Sequence, residues 1–500
     1  MSTMTALARA LAVEQGVAQP IATVRHVHIS DRPLVFVPLA LAGEANAPLA
    51  AMVGDDRSDP HLLVVAQPRN RDQRFAFAAE LARIFVLYLE LFFGAEETVP
   101  VGRGGEQRTR YADAPQLLVP NQGGIEFVAL LGRSTRFRRA EGEWAVDPAV
   151  PVLGQWLSWL AGRAENPASS MLLAMTGALA RHWASGQSAV EDQNLAALAG
   201  WIDPPEGMTG QQAAAAAEDP LTWPPAGPAT DPTFDNEVLA RLIENAARAE
   251  GDERAERRAL RALTEALRGQ IEPAWRLVWK SADLLRALPP GEHVARRWDD
   301  DKDAFSLYAA YLREGGAPQP RRDSAVTAAR RLAWLERETV RYAAQRAHDD
   351  PLVMAEQRLA GEAFAGQVIA AEPGRVVGSG RGRKLRPLIT VATTDPVAIE
   401  EGTRLVSPSR PGQNAVLVSA APAGEGLTEA VLELSGGMGY GLIAPTGTIP
   451  EVGEQVCFAT LADDWQPHGE LPLPEDTPWT HGGPPVPYQP ADEDVTEAWS

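Results

Sequence analysis

One cysteine, Cys457, stands in a chain of 500 residues. A single thiol excludes an intramolecular disulfide and a multi-cysteine zinc site built from one copy. Its neighbours, Gln455-Val-Cys-Phe-Ala459, read as a strand in which the thiol fills apolar space. Long uncharged apolar runs are also missing. The most apolar window, Phe75 to Phe93, carries Glu80, Arg83 and Glu90, so it reads as a buried amphipathic helix rather than a membrane span. Met1 to Pro20 has Arg9 and Glu14 in a short Ala/Leu run and no cleavage pattern, which argues against a secretory signal. A cytoplasmic chain with no membrane partner is expected. No Gly-x-Ser-x-Gly elbow, His-Glu-x-x-His helix, Cys-x-x-Cys pair or Rossmann glycine fingerprint occurs. No cofactor or metal is expected.

Acid is in excess. Lys and Arg number 46 against 66 Asp and Glu, a formal charge of −20. A field of that sign repels phosphate, so any nucleic-acid contact has to come from a local basic patch. The composition, 45% hydrophobic and 22% charged, is that of a soluble globular protein. The length predicts about two to four domains.

The pattern along the chain predicts a multidomain α+β protein. Residues 1–145 read as a small α/β domain, with strands at Pro33–Pro38, Ala47–Val53 and His61–Ala66 and a helix from Asp72 to Phe92. Val101 to Asp113 reads as an exposed loop. Gln116–Val119 and Ile125–Leu131 read as two strands around Asn121-Gln-Gly-Gly124. Residues 151–202 are a helical segment. Residues 203–235 form a linker, in which Asp203 to Phe234 holds seven prolines and five consecutive alanines. Residues 236–362 are a helical domain broken near Pro289-Pro290, Gly315-Gly316 and Pro351. It ends in a long charged helix with Ala328, Leu332, Leu335, Thr339 and Tyr342 on one face.

Residues 363–462 carry six short β-type runs: Gln367–Ile369, Leu388–Val391, Thr403–Val406, Ala415–Val418, Ala430–Leu434 and Gln455–Phe458. Leu432 and Leu434 point opposite to Glu433, as a strand buried on one side requires. Such crowding predicts a small barrel, because closure removes unpaired edges. Residues 463–500 are an extended acidic tail; from Leu461 on there are eight prolines, nine Asp or Glu, and no Lys or Arg.

Three groups of residues could carry function. In the barrel, Arg375, Arg381, Arg383, Lys384 and Arg386 fall within twelve residues with no acid among them, which suits phosphate attraction from a barrel loop. The loop is not a Walker A loop, since Lys384 follows Arg383 and precedes Leu385. In the tail, Trp465, Trp479 and Trp499 are spaced as anchors for a partner's groove. In the N-terminal domain, Asp59 before a strand that leads to Gln67 and Arg69 resembles the acid-strand-triplet pattern of metal-dependent nucleases. There, Arg69 stands in place of a lysine and Pro68 interrupts the triplet. A second basic cluster, Arg133, Arg136, Arg138 and Arg139, reads as an exposed hairpin. His26 and His28 read as the polar face of an exposed strand.

The charged helix from Asp323 to Glu362 is followed by Leu388-Ile-Thr-Val-Ala-Thr-Thr394, Gly402-Thr-Arg-Leu-Val406 and Val431-Leu-Glu-Leu434. This succession resembles the stalk and accessory barrel ahead of the motor core in superfamily 1B helicases of the senataxin type. The resemblance covers roughly 140 of the 500 residues. No motor motifs follow, so it implies a detached front end that works beside a separate ATPase or helicase, and neither activity is carried over. The preferred expectation is a non-catalytic accessory or scaffold component of a larger assembly, with a protein partner and with DNA or RNA touched through the basic loop. The alternative is a divalent-metal-dependent nuclease acting through residues 1–145.

Overall fold

The computed structural model describes residues 2–44, 47–101, 106–220, 223–225, 227–249, 251–410, 412–424 and 426–462. The expected acidic tail, with Trp465, Trp479 and Trp499, lies outside the described residues. The described chain is a mixed α/β protein that divides into two compact units. Thr5–Ile21 and Arg25–Leu335 make up the first; the described residues from Glu336 on, with the short stretches 2–4 and 22–24, make up the second.

The first unit is built on a five-stranded sheet. β1 (Leu34–Ala40), β2 (Pro48–Gly54) and β3 (His61–Val64) form an antiparallel meander. β4 (Leu117–Val119) and β5 (Leu172–Ala174) then add in parallel beyond β1, for a spatial order β3-β2-β1-β4-β5. Every position of β1 and β2 is buried. Successive side chains of a strand point to opposite faces, so a strand covered on both sides needs apolar residues throughout. Five helices do most of the covering: α1 (Arg71–Glu90), α2 (Gln122–Thr135), α3 (Ala149–Ala164), α4 (Glu253–Arg286) and α5 (His293–Arg313). Leu34 and Phe36 enter a core shared with α1, α2, α3 and α5. Val35, Val37 and Leu39 enter the opposite core, where α4 places Leu263, Leu267, Ile271, Trp275 and Val278.

Several expectations need correction here. The 236–362 region does not form a helical domain apart from the sheet, because α4 closes one face of that sheet and α5 part of the other. Residues at intervals of three and four show that a helix is amphipathic; they do not show what it covers. Ile125–Leu131 is not a strand but the middle of α2. Asn121 is extended and its side chain accepts the Gly124 N–H at 3.2 Å, a helix N-cap. A short apolar run fits a buried strand or a helix equally, and the cap decides. The loop expected over 101–113 contains half of a hairpin, Glu96–Val101 paired with Glu106–Tyr111. Within the expected linker, Gly210–Glu218 is a helix closed by a Thr209/Gln212 capping box.

Charge inside this unit is paired. The fully buried Asp301 carboxylate accepts from Arg163 Nη2 at 2.7 Å, Ser169 Oγ at 2.8 Å and the Ser170 N–H at 2.7 Å. Burial pushes its pKa up, against the pull of Arg163. Arg110 pairs with Glu97 at 2.8 Å, Asp299 at 2.6 Å and Asp303 at 3.2 Å. The two histidines expected on an exposed strand lie in no strand. His26 is buried, and its N–H donates to His182 Nε2 at 2.9 Å. That nitrogen therefore carries a lone pair, and His182 Nδ1 holds the proton shared with the Ala178 carbonyl at 2.7 Å. His28 stacks on Trp298 with ring centroids 4.0 Å apart. Burial, with the positive charge of Arg25, lowers its pKa to about 4.

The second unit contains a closed barrel, as the crowding of short runs predicts. α6 (Ala325–Asp349), within which the boundary between units falls, and α7 (Pro351–Leu359) precede it. Leu332 and Ala328 of α6 are exposed, whereas Val326 near its start is buried, as are Tyr342, Ala344 and Ala347 toward its end. The strands are β6 (Ala363–Glu372), β7 (Leu388–Thr393), β8 (Arg404–Val406), β9 (Asn414–Gly424), β10 (Leu427–Ser435) and β11 (Gln455–Ala459). They close antiparallel in the order β6-β7-β10-β9-β8-β11. Phe364, Leu405, Leu417, Leu432, Leu434 and Phe458 fill the interior. Cys457 is half-buried and burial pushes its thiol up to about 11, which leaves it protonated and inert at neutral pH.

Candidate nucleic-acid interface

The basic loop of the barrel is a braced projection. Between β6 and β7 the chain makes a two-residue ladder, Val376 opposite Leu385 and Val377 opposite Lys384. The turn closes through Gly378, whose φ of 93° and position against the Gly382 carbonyl leave no room for a Cβ. At the base, Arg375 Nη1 donates to Glu433 Oε2 of β10 at 2.6 Å and to the Arg386 carbonyl at 2.9 Å. Arg386 Nε stands 3.8 Å from the same carboxylate. Two of the five expected cations are therefore spent on holding the hairpin. Arg383 and Lys384 are exposed and form no ion pair among the described residues. The Arg381 side chain is outside what the structure describes.

Three connections share this end of the barrel. The Leu434 N–H donates to the Pro387 carbonyl at 2.9 Å, which puts the hairpin base beside the end of β10. The β8–β9 connection, 407–413, runs alongside Gly436 and Gly437. It is tied to the β10–β11 connection, 436–454, by Gln413 Nε2 to the Thr448 carbonyl at 2.7 Å and Arg410 Nη1 to the Gly447 carbonyl at 2.7 Å. Arg410 also pairs with Glu454 at 2.6 Å and holds that carboxyl below its ordinary range. The three connections carry six Arg or Lys against two acids, Glu451 and Glu454, with Glu433 beneath them. This is a local reversal of the chain's overall sign.

The nuclease pattern is not assembled. Asp59 is exposed in the turn between β2 and β3, whereas Gln67 and Arg69 follow the far end of β3. The Gln67 N–H donates to Gln73 Oε1 at 2.7 Å, and Arg69 pairs with Glu44. Among the described residues no group of three or more His, Cys, Asp or Glu is placed to hold a metal ion. No described helix is long and apolar enough to cross a membrane.

The second basic cluster is not an exposed hairpin either. Arg136 is buried, donating to Ser158 Oγ at 3.1 Å and the Pro320 carbonyl at 3.0 Å, and lies over Phe137. Arg138 is buried over Phe75 and donates to the Ser134 carbonyl at 2.9 Å. Arg133 and Arg136 do line a groove of about 610 Å³ between α2, α3 and residues 319–334. Most of its cations are engaged: Arg163 with Asp301, Arg331 with Glu165 at 2.7 Å. A second hollow of about 420 Å³ sits at the carboxyl ends of β4 and β5, where open α/β sheets place ligands. Asn121 faces it with its amide committed to the Gly227 carbonyl at 2.9 Å, and its one charged lining residue is Glu126.

Periodicity could not reveal Tyr440, Leu442 and Ile443, which stand exposed on the 436–454 connection at the same end of the barrel as the basic hairpin. The signal was the run Gly436-Gly-Met-Gly-Tyr-Gly-Leu-Ile443, apolar side chains on a glycine-rich loop. No protein-family model, no curated protein and no solved structure matches this chain.

Proposed function

We propose that this chain is a non-catalytic accessory component of a larger cytosolic assembly in nucleic-acid transactions, working beside a separate ATPase or helicase. The barrel end would touch the phosphate backbone, and a protein partner would hold the chain in place. The observation that carries this reading is the hairpin. Arg375 and Arg386 are engaged by Glu433, and the hairpin they brace holds Arg383 and Lys384 out in solvent. An exposed cation pair on a fixed support attracts phosphate without paying to order a flexible loop. The resemblance of residues 323–462 to a helicase front end supports work beside an ATPase or helicase. The dispersal of Asp59, Gln67 and Arg69 favours it over the nuclease reading.

The test is binding of the full chain to labelled DNA and RNA across a salt series. Affinity should fall as salt rises, with a slope of about 0.7–0.9 per phosphate contacted. Arg383→Ala combined with Lys384→Ala should weaken binding and flatten that slope by roughly two contacts. An absence of binding at low salt, or binding indifferent to both substitutions, overturns the nucleic-acid part.

A further inference from the structure

The 436–454 connection explains what kind of nucleic acid the barrel end would take, on the premise that it takes one. Met438 is buried and plugs the barrel core, and Ala444 and Ile449 pack against the same core farther along. Between these anchors the backbone turns through Gly439, at a φ of 75°, and the arc from Tyr440 to Ile443 is pushed outward. Tyr440 is fully exposed and Ile443 nearly so. An aromatic ring in water on a loop pinned at both sides cannot bury itself by local collapse. It is left with one face, or both, for a ligand.

We infer that the barrel end binds single-stranded nucleic acid, with an unpaired base stacked on Tyr440 while Arg383 and Lys384 take the flanking phosphates. Two features select the single strand. Stacking requires a base whose face is free, which a duplex does not offer. The cations and the ring belong to neighbouring connections at one end of the barrel, so a strand crossing that end meets charge and aromatic surface in succession. Charge complementarity favours this occupant over an apolar peptide: the three connections are net positive in a chain of net charge −20. The inference rests on the proposed phosphate contact and adds the base contact to it.

The experiment uses the full chain with four probes of one length: single-stranded DNA, single-stranded RNA, the duplex DNA, and an abasic single strand. Single strands should bind about tenfold or more tightly than the duplex and the abasic strand, the gain expected from stacking one base. Tyr440→Ala should remove that advantage and leave the salt slope unchanged, and Tyr440→Phe should retain it. Because Tyr440 packs against nothing, its loss does not threaten folding. Preference for RNA over DNA, or the reverse, identifies the sugar and supports the inference either way. If the duplex or abasic strand binds as well as the intact strand, or if Tyr440→Ala is silent while Arg383→Ala/Lys384→Ala weakens binding, base stacking is refuted and the phosphate contact survives. If no probe binds, both fall.

Discussion

The two units use arginine in opposite ways. In the sheet unit Arg110, Arg136 and Arg163 are drawn inside, where each meets carboxylates, hydroxyls or carbonyls within 3.2 Å. In the barrel unit Arg375 and Arg386 form a half-exposed brace, and Arg383 and Lys384 are carried beyond it into solvent. The difference follows from size. A five-stranded sheet under five helices has an interior deep enough to bury and fully pair a charge. A six-stranded barrel fills its interior with apolar side chains and can place charge only on its surface and its ends. Arg110, Arg136 and Arg163 in the first unit therefore help hold the fold together, and Arg383 and Lys384 in the second are left in solvent.

That contrast can be broken by substitution, and the largest effect is expected at Asp301. Asp301→Ala leaves the Arg163 guanidinium, a serine hydroxyl and a backbone N–H without their acceptor. The loss should be about 3–5 kcal/mol in the unfolding of the sheet unit. Tryptophan fluorescence reads this unit, since every Trp among the described residues lies in it. A loss below about 1 kcal/mol would mean that the buried pair is dispensable.

Next is Leu432→Ala in the barrel interior, expected to cost about 2–5 kcal/mol through lost burial and a residual cavity. Hydrogen exchange of the strand amides measures it. Protection should fall throughout the six strands, because a closed barrel has no edge at which a defect can be contained.

His28 makes the third test. Its pKa falls from 6.5 to about 4 in the folded chain, so below pH 6.5 the unfolded chain binds a proton that the folded chain refuses. The stability contribution is present above pH 6.5 and is lost as pH drops toward 4. It amounts to roughly 2–3 kcal/mol between those limits. Denaturant midpoints of the sheet unit at pH 7.5 and pH 4.5 should differ accordingly, and His28→Gln should flatten the difference. An unaltered pH dependence in that variant assigns the effect to other groups.

The smallest effect belongs to the brace. Glu433→Gln should cost the barrel about 1 kcal/mol or less, since the pair is partly exposed. It should still loosen the hairpin, seen as faster exchange of the Arg386 N–H, which donates to the Arg375 carbonyl at 2.9 Å. Unchanged exchange at that amide would show that the ladder and Gly378 hold the hairpin without the ion pairs.

Legibility tracked how local the deciding force was. The three strands of the meander, α1 and all six barrel strands were visible, because alternation and uninterrupted apolar runs are properties of neighbouring residues. Ile125–Leu131 was misread because its pattern fits two structures, and the Asn121 cap that resolves it is one side-chain hydrogen bond. The hairpin cations were located, but their division into two braces and two free charges depends on Glu433, 47 to 58 residues away in sequence from Arg386 and Arg375. Arg136 and Arg138 looked like surface residues. Their burial depends on Ser158, Pro320 and Phe75, all distant along the chain.

By itself the sequence determined that residues 363–462 close into strands, that one barrel connection is strongly basic, and that the chain carries a single thiol set in a strand. These follow from composition and period, which act over a few residues. Tertiary structure alone decided that α4 and α5 complete the sheet, which arginines are spent on internal pairs, and that Tyr440 shares a barrel end with Arg383 and Lys384. Each of those outcomes depends on which distant segments come to lie side by side, and no local propensity encodes that choice.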